Sequence, residues 1–401
     1  MPTSRSSPAQ IVGTGPWARF DDLRAGGGLR FARPSRVLVA ERPAEILDVL
    51  AEVERATAAG SWAFGYLAYE AAGALDPALP SRPAPEGLPL AWFGLGAAPV
   101  SVPPIAQGAA GRYRAQPWRP AWTPQQHARA VGAVRAKIAA GETYQCNLTV
   151  RLHSRVEGDL TGLYADLAPA QGGSHNAYLD LGRWVIASAS PELFFEIAGD
   201  RLLMRPMKGT ARRGRSPAQD HALGEALRTS PKERAENVMI VDLMRNDAAR
   251  VAETGSVSVP ALCRLERYPT VLQLTSDVTA RLRPEVGLID VLRALFPCGS
   301  ITGAPKRRTM QLIDELEPEP RGVYCGAVGV VGPPDAPIRA RFSVAIRTVV
   351  ADRAAGGAAV YGTGGGITWS SDPAAEHAEL LAKAAILDGC TGDVELISRP
   401  G

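Results

Sequence analysis

Leu193-Phe194-Phe195-Glu196-Ile197 and Arg201-Leu202-Leu203-Met204 are two strand-like runs with no helical segment between them, and they lead into Arg205-Pro206-Met207-Lys208-Gly209-Thr210-Ala211-Arg212-Arg213-Gly214. Further strand-like runs lie at 148–152, 184–188, 340–350 and 358–361, and Trp62 to Glu70 reads as an aromatic strand. Helical patterns stand at 44–59, 123–141, 219–228, 232–245 and 376–389. Long stretches of strand without regular β-α-β alternation predict an α+β fold. Lys208 stands in a segment bracketed by Met204 and Met207, where Pro206 removes a backbone donor and Gly209 permits unusual dihedrals. A partly buried ammonium either pairs with a carboxylate or loses its proton, and a neutral lysine is a nucleophile. The alternative is a surface lysine in a basic loop with Arg205, Arg212 and Arg213.

Outward from that segment, Thr123 is the expected N-cap of its helix and Gly141 the residue just past its end. The last helix is entered through Ser370-Ser371-Asp372-Pro373, where a serine or aspartate can cap and proline suits the first turn. The stretch 96–120, rich in Pro, Gly and Ala, reads as a surface connection. It separates a first block, 1–110, from a second, 120–390, which together are expected to form one intertwined unit.

Composition narrows the function. The 401 residues carry 44 Lys+Arg against 41 Asp+Glu, a net charge of +3 that is too small to argue for nucleic acid. No apolar run approaches the roughly 18 residues of a membrane span. The polar start, Met1 to Gln10, lacks the apolar core of a secretory signal. Five scattered cysteines, an odd number without a C-x-x-C pair, suggest reduced thiols in a cytoplasmic protein. The five histidines are also dispersed, so any metal should be held by carboxylates.

Two carboxylate pairs meet that description. Glu233 and Glu236, like Glu376 and Glu379, are spaced i, i+3 and share a helix face. Such hard oxygen ligands suit Mg²⁺; an ordinary solvated face is the other reading of each pair. Gly362-Thr363-Gly364-Gly365-Gly366-Ile367 follows a strand and reads as a loop whose N–H groups can approach an anion, or as a structural turn. Gly299-Ser300-Ile301-Thr302-Gly303-Ala304-Pro305-Lys306 precedes a helix but lacks the spacing of a nucleotide P-loop. Arg347 lies in the apolar run 342–349 and calls for a carboxylate partner, from protein or ligand. Tyr324 and Gln145 are polar groups in apolar segments, read first as satisfied core residues.

Taken together, these segments resemble the chorismate-utilising enzymes, the family of anthranilate, aminodeoxychorismate, isochorismate and salicylate synthases. The resemblance runs from Thr123 to Asp388, in order through Gly141 to Thr149, Ser190-Pro191-Glu192, Pro206 to Gly214, Lys232 to Asn237, Val241 to Asp247, Gly299 to Lys306, the Gly364 segment and the Glu376 helix. It implies largely antiparallel sheets packed in a sandwich with surrounding helices. It implies Mg²⁺ held by Glu236 and Glu379 with Glu233 and Glu376 nearby, and chorismate bound by Gln145, Thr210, Tyr324, Arg347, Lys383 and the backbone of Gly364, Gly365 and Gly366. Glu192 resembles the general acid that assists loss of the C4 hydroxyl.

Two positions separate the branches. Isochorismate and salicylate synthases carry lysine where this chain has Gln145, and anthranilate synthases carry alanine where it has Lys208. A lysine there is similar to the aminodeoxychorismate synthase branch, in which it attacks C2 before ammonia displaces it at C4. The resemblance then implies a separate glutaminase subunit as the ammonia source, since no amidotransferase context surrounds any cysteine, and a separate lyase downstream. Asn237 and Cys298 depart from the histidine and glycine usual in the family and read as packing variation. The alternatives are the anthranilate branch and a non-catalytic chorismate-binding subunit.

Overall fold

Antiparallel pairing dominates the structure, a computed structural model that describes residues 15–80, 82–108, 110–268 and 271–390. The polar start Met1 to Gln10 lies outside them. Two sheets carry the fold. From edge to edge the first runs Gly303–Ala304, Gln145–Gly158, Ala358–Ile367, Thr348–Asp352, Trp184–Ser190, His175–Asp180, Trp17–Asp22, Gly27–Phe31 and Val100–Val102. The second runs Met207–Arg212, Val271–Arg281, Arg201–Arg205, Leu193–Ala198, Ala340–Val344, Ala327–Val331, Trp62–Leu67, Ala91–Gly96 and Arg36–Ala40. Ser258–Arg267 adds to Val271–Arg281 off this path. The α+β reading therefore holds.

Side-chain alternation stacks the layers. Within Trp62–Leu67, Phe64 and Tyr66 join Phe31, Ile186 and Val328 between the sheets, whereas Ala63 and Leu67 join the helices outside the second sheet. That two-residue period belongs to a strand buried on both faces. The helix Ile46–Ala58 offers Ile46, Val49, Leu50 and Val53 to this outer core, an i, i+3, i+4, i+7 stripe. Leu160–Gln171 covers the first sheet, with Leu163 and Leu167 against Tyr178, Ala187 and Tyr361. Strands of the first 110 residues pair with later strands in both sheets: Trp17–Asp22 with His175–Asp180, and Trp62–Leu67 with Ala327–Val331.

Three sequence readings need correction. The run 340–350 is two strands in different sheets, because the chain crosses between them at Ala345-Ile346-Arg347, with Arg347 in left-handed backbone at φ 52°. The glycine run 362–367 is no loop but the end of the strand Ala358–Ile367, paired along its length with Gln145–Gly158. The connection 96–120 contributes Val100–Val102, Tyr113–Ala115 and Arg119–Pro120 as short strands. The caps agree with the sequence: Thr123 and Gln126 form a reciprocal capping box, Gly141 has φ 75°, and Asp372 accepts from the N–H groups of Ala374 and Ala375. Among the described residues no helix is long and apolar enough to cross a membrane.

A second crossover runs opposite the first. Ser190 ends a strand of the first sheet and Leu193 opens one of the second, so Pro191-Glu192 bridges them. The crossovers are hydrogen-bonded together: Ala189 N to Arg347 O at 3.0 Å, Val344 N to Glu192 O at 3.1 Å, and Ser190 Oγ to Val344 O at 2.6 Å. Removing Phe64 from the inter-sheet core, as Phe64→Ala, is expected to lower the unfolding free energy by about 3–5 kcal/mol, read from denaturant titration.

Candidate active site

Lys208 is the second residue of the edge strand Met207–Arg212. Pro206 ends the strand before it, and the pairing with Val271–Arg281 shifts register between Met207 and Thr210, where Gly209 adopts φ 87°. That bulge aims the lysine at the first sheet's edge. Its Nζ donates to Ser300 O at 3.1 Å and lies 3.4 Å from where a side chain on Gly366 would begin. Burial lowers the Lys208 pKa, against the opposing pull of Glu236 and Glu192. The reading of Lys208 as a freely solvated loop lysine is thereby set aside.

The glycine strand forms the opposite wall. A Cβ on Gly362 would enter the Tyr324 ring, one on Gly364 would strike the Leu148 carbonyl, and one on Gly366 would strike Gln145 Nε2. Glycine is required here for close approach. A Cβ on Gly365 would instead meet Glu376 Oε2 at 3.4 Å, Lys383 Nζ at 3.6 Å and Glu379 Oε1 at 3.9 Å. The strand thus passes the lysine on one side and the last helix on the other.

Four glutamates face this space from the helices Pro231–Ala249 and Pro373–Ala384. Burial raises the pKa of Glu233, Glu236 and Glu376, and neighbouring carboxylates add to each rise. At Glu379 burial also raises, but the charge and hydrogen bond of Lys383, 2.7 Å away, outweigh it and the net shift is downward. Lys383 also donates to Gly364 O at 2.8 Å, and Ser371 Oγ to Glu376 Oε1 at 2.6 Å. Lys232, to which the sequence gives no role, lowers the pKa of all four carboxylates. Among the described residues no three His, Cys, Asp or Glu side chains are arranged to enclose a metal ion. The donor set nevertheless suits a hard cation: oxygen only, partly desolvated and mutually repelling.

Glu192 completes the constellation from the crossover. It is buried, its Oε1 has no hydrogen-bond partner among the described residues, and burial lifts its pKa to about 7 against the opposing effects of the Ser300 hydroxyl and the charge of Lys208. Gln145 is fully buried, and neither amide atom has a hydrogen-bond partner among the described residues, so it is not the satisfied core residue the sequence suggests. Buried polar groups are ordinarily hydrogen-bonded, so this amide keeps its full capacity to bond a polar group brought into the site. Tyr324 is buried, with the Arg151 guanidinium 5.0 Å from its ring centre. Arg347 sits on its crossover and donates to Gln171 Oε1 at 3.4 Å, with no ion pair among the described residues. Thr210 is exposed and donates to Gln273 Oε1 at 2.9 Å. Ser300, which touches both Lys208 and Glu192, carries no sequence signal beyond its place in a glycine- and hydroxyl-rich turn.

Comparison with known proteins matches residues 98–388 to the family model described as chorismate binding enzyme. Among curated relatives, an "Aminodeoxychorismate synthase" of Streptomyces griseus is 46% identical over 263 residues, 64% of this chain and 35% of that protein. An "Aminodeoxychorismate synthase component 1" of Klebsiella aerogenes is 40% identical over 297 residues, 73% of this chain and 62% of that one. An "Anthranilate synthase component 1" of Streptomyces coelicolor is 42% identical over 283 residues, 70% and 54% respectively. The chain therefore spans between 35% and 62% of the length of these relatives. The crystal structure of anthranilate synthase component I from Streptococcus pneumoniae TIGR4 superposes with a TM-score of 0.77 at 23% identity, covering 96% of this chain and 94% of that one, which shows the shared fold.

The raised Glu192 carboxyl links this site to stability. Its native pKa of about 7 lies above the ordinary carboxylate value of 4.5, so folding retains a proton that the unfolded chain releases. This contribution is full below pH 4.5 and is lost as pH rises through 7. Denaturant midpoints are expected to fall from pH 5 to 8, with a shallower slope in Glu192→Gln.

Proposed function

This chain belongs to the chorismate binding enzyme family, and we propose that within it the protein converts chorismate and ammonia to 4-amino-4-deoxychorismate. The observation that carries the branch assignment is Lys208: an amine with a lowered pKa, facing a glycine wall and flanked by a protonatable carboxyl. The neutral Lys208 amine attacks ring carbon C2. Both double bonds of the ring diene shift as the C4–O bond breaks, and the hydroxyl takes the proton of Glu192 and leaves as water. Ammonia then bonds to C4, both double bonds shift back, the C2–N bond breaks with its electron pair returning to the Lys208 amine, and the new ammonium at C4 gives up a proton, which the Glu192 carboxylate can take. The reading is supported by the half-buried Lys208 amine, whose pKa is lowered, and by the buried Glu192 carboxyl, whose pKa is raised: the first suits attack and the second protonation of the leaving group.

Binding falls to the remaining groups. Arg347, Tyr324, Lys383 and the Gly364–Gly366 backbone are suited to the substrate carboxylates, and the unbonded Gln145 amide to a polar group of the ring. Glu236 and Glu379, supported by Glu233 and Glu376, would hold Mg²⁺, which when bound neutralises one carboxylate. Ammonia comes from a separate glutaminase chain, the role suggested by relatives named component 1, and a lyase acts on the product. The five cysteines, all unpaired and buried, accord with a reducing cytoplasmic setting.

The test is to incubate the purified chain with chorismate, Mg²⁺ and ammonium and identify the product by mass spectrometry, with and without an aminodeoxychorismate lyase. para-Aminobenzoate appearing only with the lyase supports the proposal; anthranilate and pyruvate without it would assign the tryptophan branch, which the 42% identical relative represents. Lys208→Ala is expected to lower the ammonia-dependent rate by about 100-fold or more, and Glu192→Gln by about 10²–10⁴-fold. Because turnover needs Glu192 protonated and Lys208 neutral, kcat/KM should pass through a maximum with pH and decline on both sides.

A further inference from the structure

Behind the site lies a buried cation that the proposed reaction does not use. The side chains of Arg321 and Glu317 are 1% and 5% exposed, and they pair at 2.7 Å. Arg321 Nε also donates to Glu317 Oε2 at 2.9 Å, Nη1 to Ile301 O at 2.8 Å, and Nη2 to Asn147 O at 2.8 Å. Its guanidinium stacks 4.6 Å from the Tyr69 ring centre. Glu317 in turn accepts from Thr149 N at 2.9 Å. The Arg321 and Gly322 N–H groups are held by the Glu70 carboxylate at 2.6 and 3.0 Å.

The two carbonyls that Arg321 grips belong to the two walls around the lysine. Ile301 follows Ser300, whose carbonyl receives Lys208 Nζ at 3.1 Å and whose hydroxyl pulls the Glu192 pKa down. Asn147 is the cross-strand partner of Gly366, the glycine facing Lys208 Nζ, and its N–H donates to Thr302 O at 2.8 Å. We infer that Arg321 is a positioning residue: one rigid guanidinium fixes the spacing between the Ser300 turn and the glycine strand, and so the gap in which Lys208 and Glu192 meet substrate. A buried ion pair contributes little to stability beyond what apolar side chains of the same volume would give, because desolvation offsets the attraction. Its planar fork does fix geometry at several acceptors at once, which a lysine cannot do. A small displacement of reacting groups costs up to about 100-fold in rate.

The inference rests on the proposed function, so its test carries a readout independent of turnover. Arg321→Lys keeps the charge beside Glu317 but cannot reach both carbonyls. It is expected to lower kcat with ammonium about 10- to 100-fold while KM for chorismate changes less than about threefold. Amide hydrogen exchange should quicken at Ile301, Thr302 and Asn147 and stay unchanged in the strand Thr348–Asp352. A folded Arg321→Lys protein with wild-type kcat and wild-type exchange at these amides would overturn the inference, as would a rise in KM alone. Should Arg321→Lys not fold, Glu70→Gln loosens the same arginine through its backbone and is expected to give the same exchange pattern with a smaller kcat loss; its absence overturns the inference equally. If the wild-type chain proves inactive toward chorismate, the proposed function falls, and the exchange data still decide whether Arg321 sets the spacing.

Discussion

The site depends on how closely two strands and their neighbours approach one another along the glycine run. At Gly362, Gly364 and Gly366 a single methyl group would collide with an aromatic ring, a carbonyl or an amide, so these positions admit only backbone. The absence of side chains brings the Gln145 end of one strand, Tyr324 and the Lys208 amine to one wall. It also leaves Gly365 open toward Glu376, Glu379 and Lys383. Glycine weakens a strand by its entropy and missing side chain, and the long ladder to Gln145–Gly158 offsets that loss.

Around that wall the electrostatics follow from burial. Carboxylates on two helices face each other and are partly desolvated, so the charged forms of Glu233, Glu236 and Glu376 are disfavoured, whereas Lys383 holds the Glu379 pKa down. The same desolvation acts with opposite sign on Lys208, pushing the amine toward its neutral form. Glu192 experiences it most directly, since it sits on a crossover between the sheets where backbone geometry, rather than solvent, sets its neighbours. Burial thus pushes Glu192 and three helix carboxylates toward keeping a proton and the Lys208 amine toward releasing one.

Much of this was legible in the sequence because its signals are local. The spacing of Glu233 with Glu236 and of Glu376 with Glu379 places each pair on one helix face, and Pro206 with Gly209 marks irregular backbone around Lys208, which the structure shows to be a bulge. The strand-rich, non-alternating pattern gave the α+β class. What stayed hidden depends on distant partners. Arg347 looks like part of one apolar strand, and only sheet pairing shows the chain changing layers beside it. The glycine run reads as a loop because glycine disfavours strands, whereas its pairing partner lies some two hundred residues away in sequence. Arg321 has only its i, i+4 partner Glu317 nearby in sequence; the carbonyls of Ile301 and Asn147 that it grips converge on it only on folding.

The central claim is that the Lys208 amine bonds to the ring of chorismate. The most direct measurement is peptide mass spectrometry of the chain after incubation with chorismate and Mg²⁺ without ammonia, quenched at successive times. The account requires a modification equal to chorismate less one water on the peptide bearing Lys208, discharged when ammonium is added. Product formation from ammonium with no such adduct at any time, and at an undiminished rate in Lys208→Ala, would contradict it.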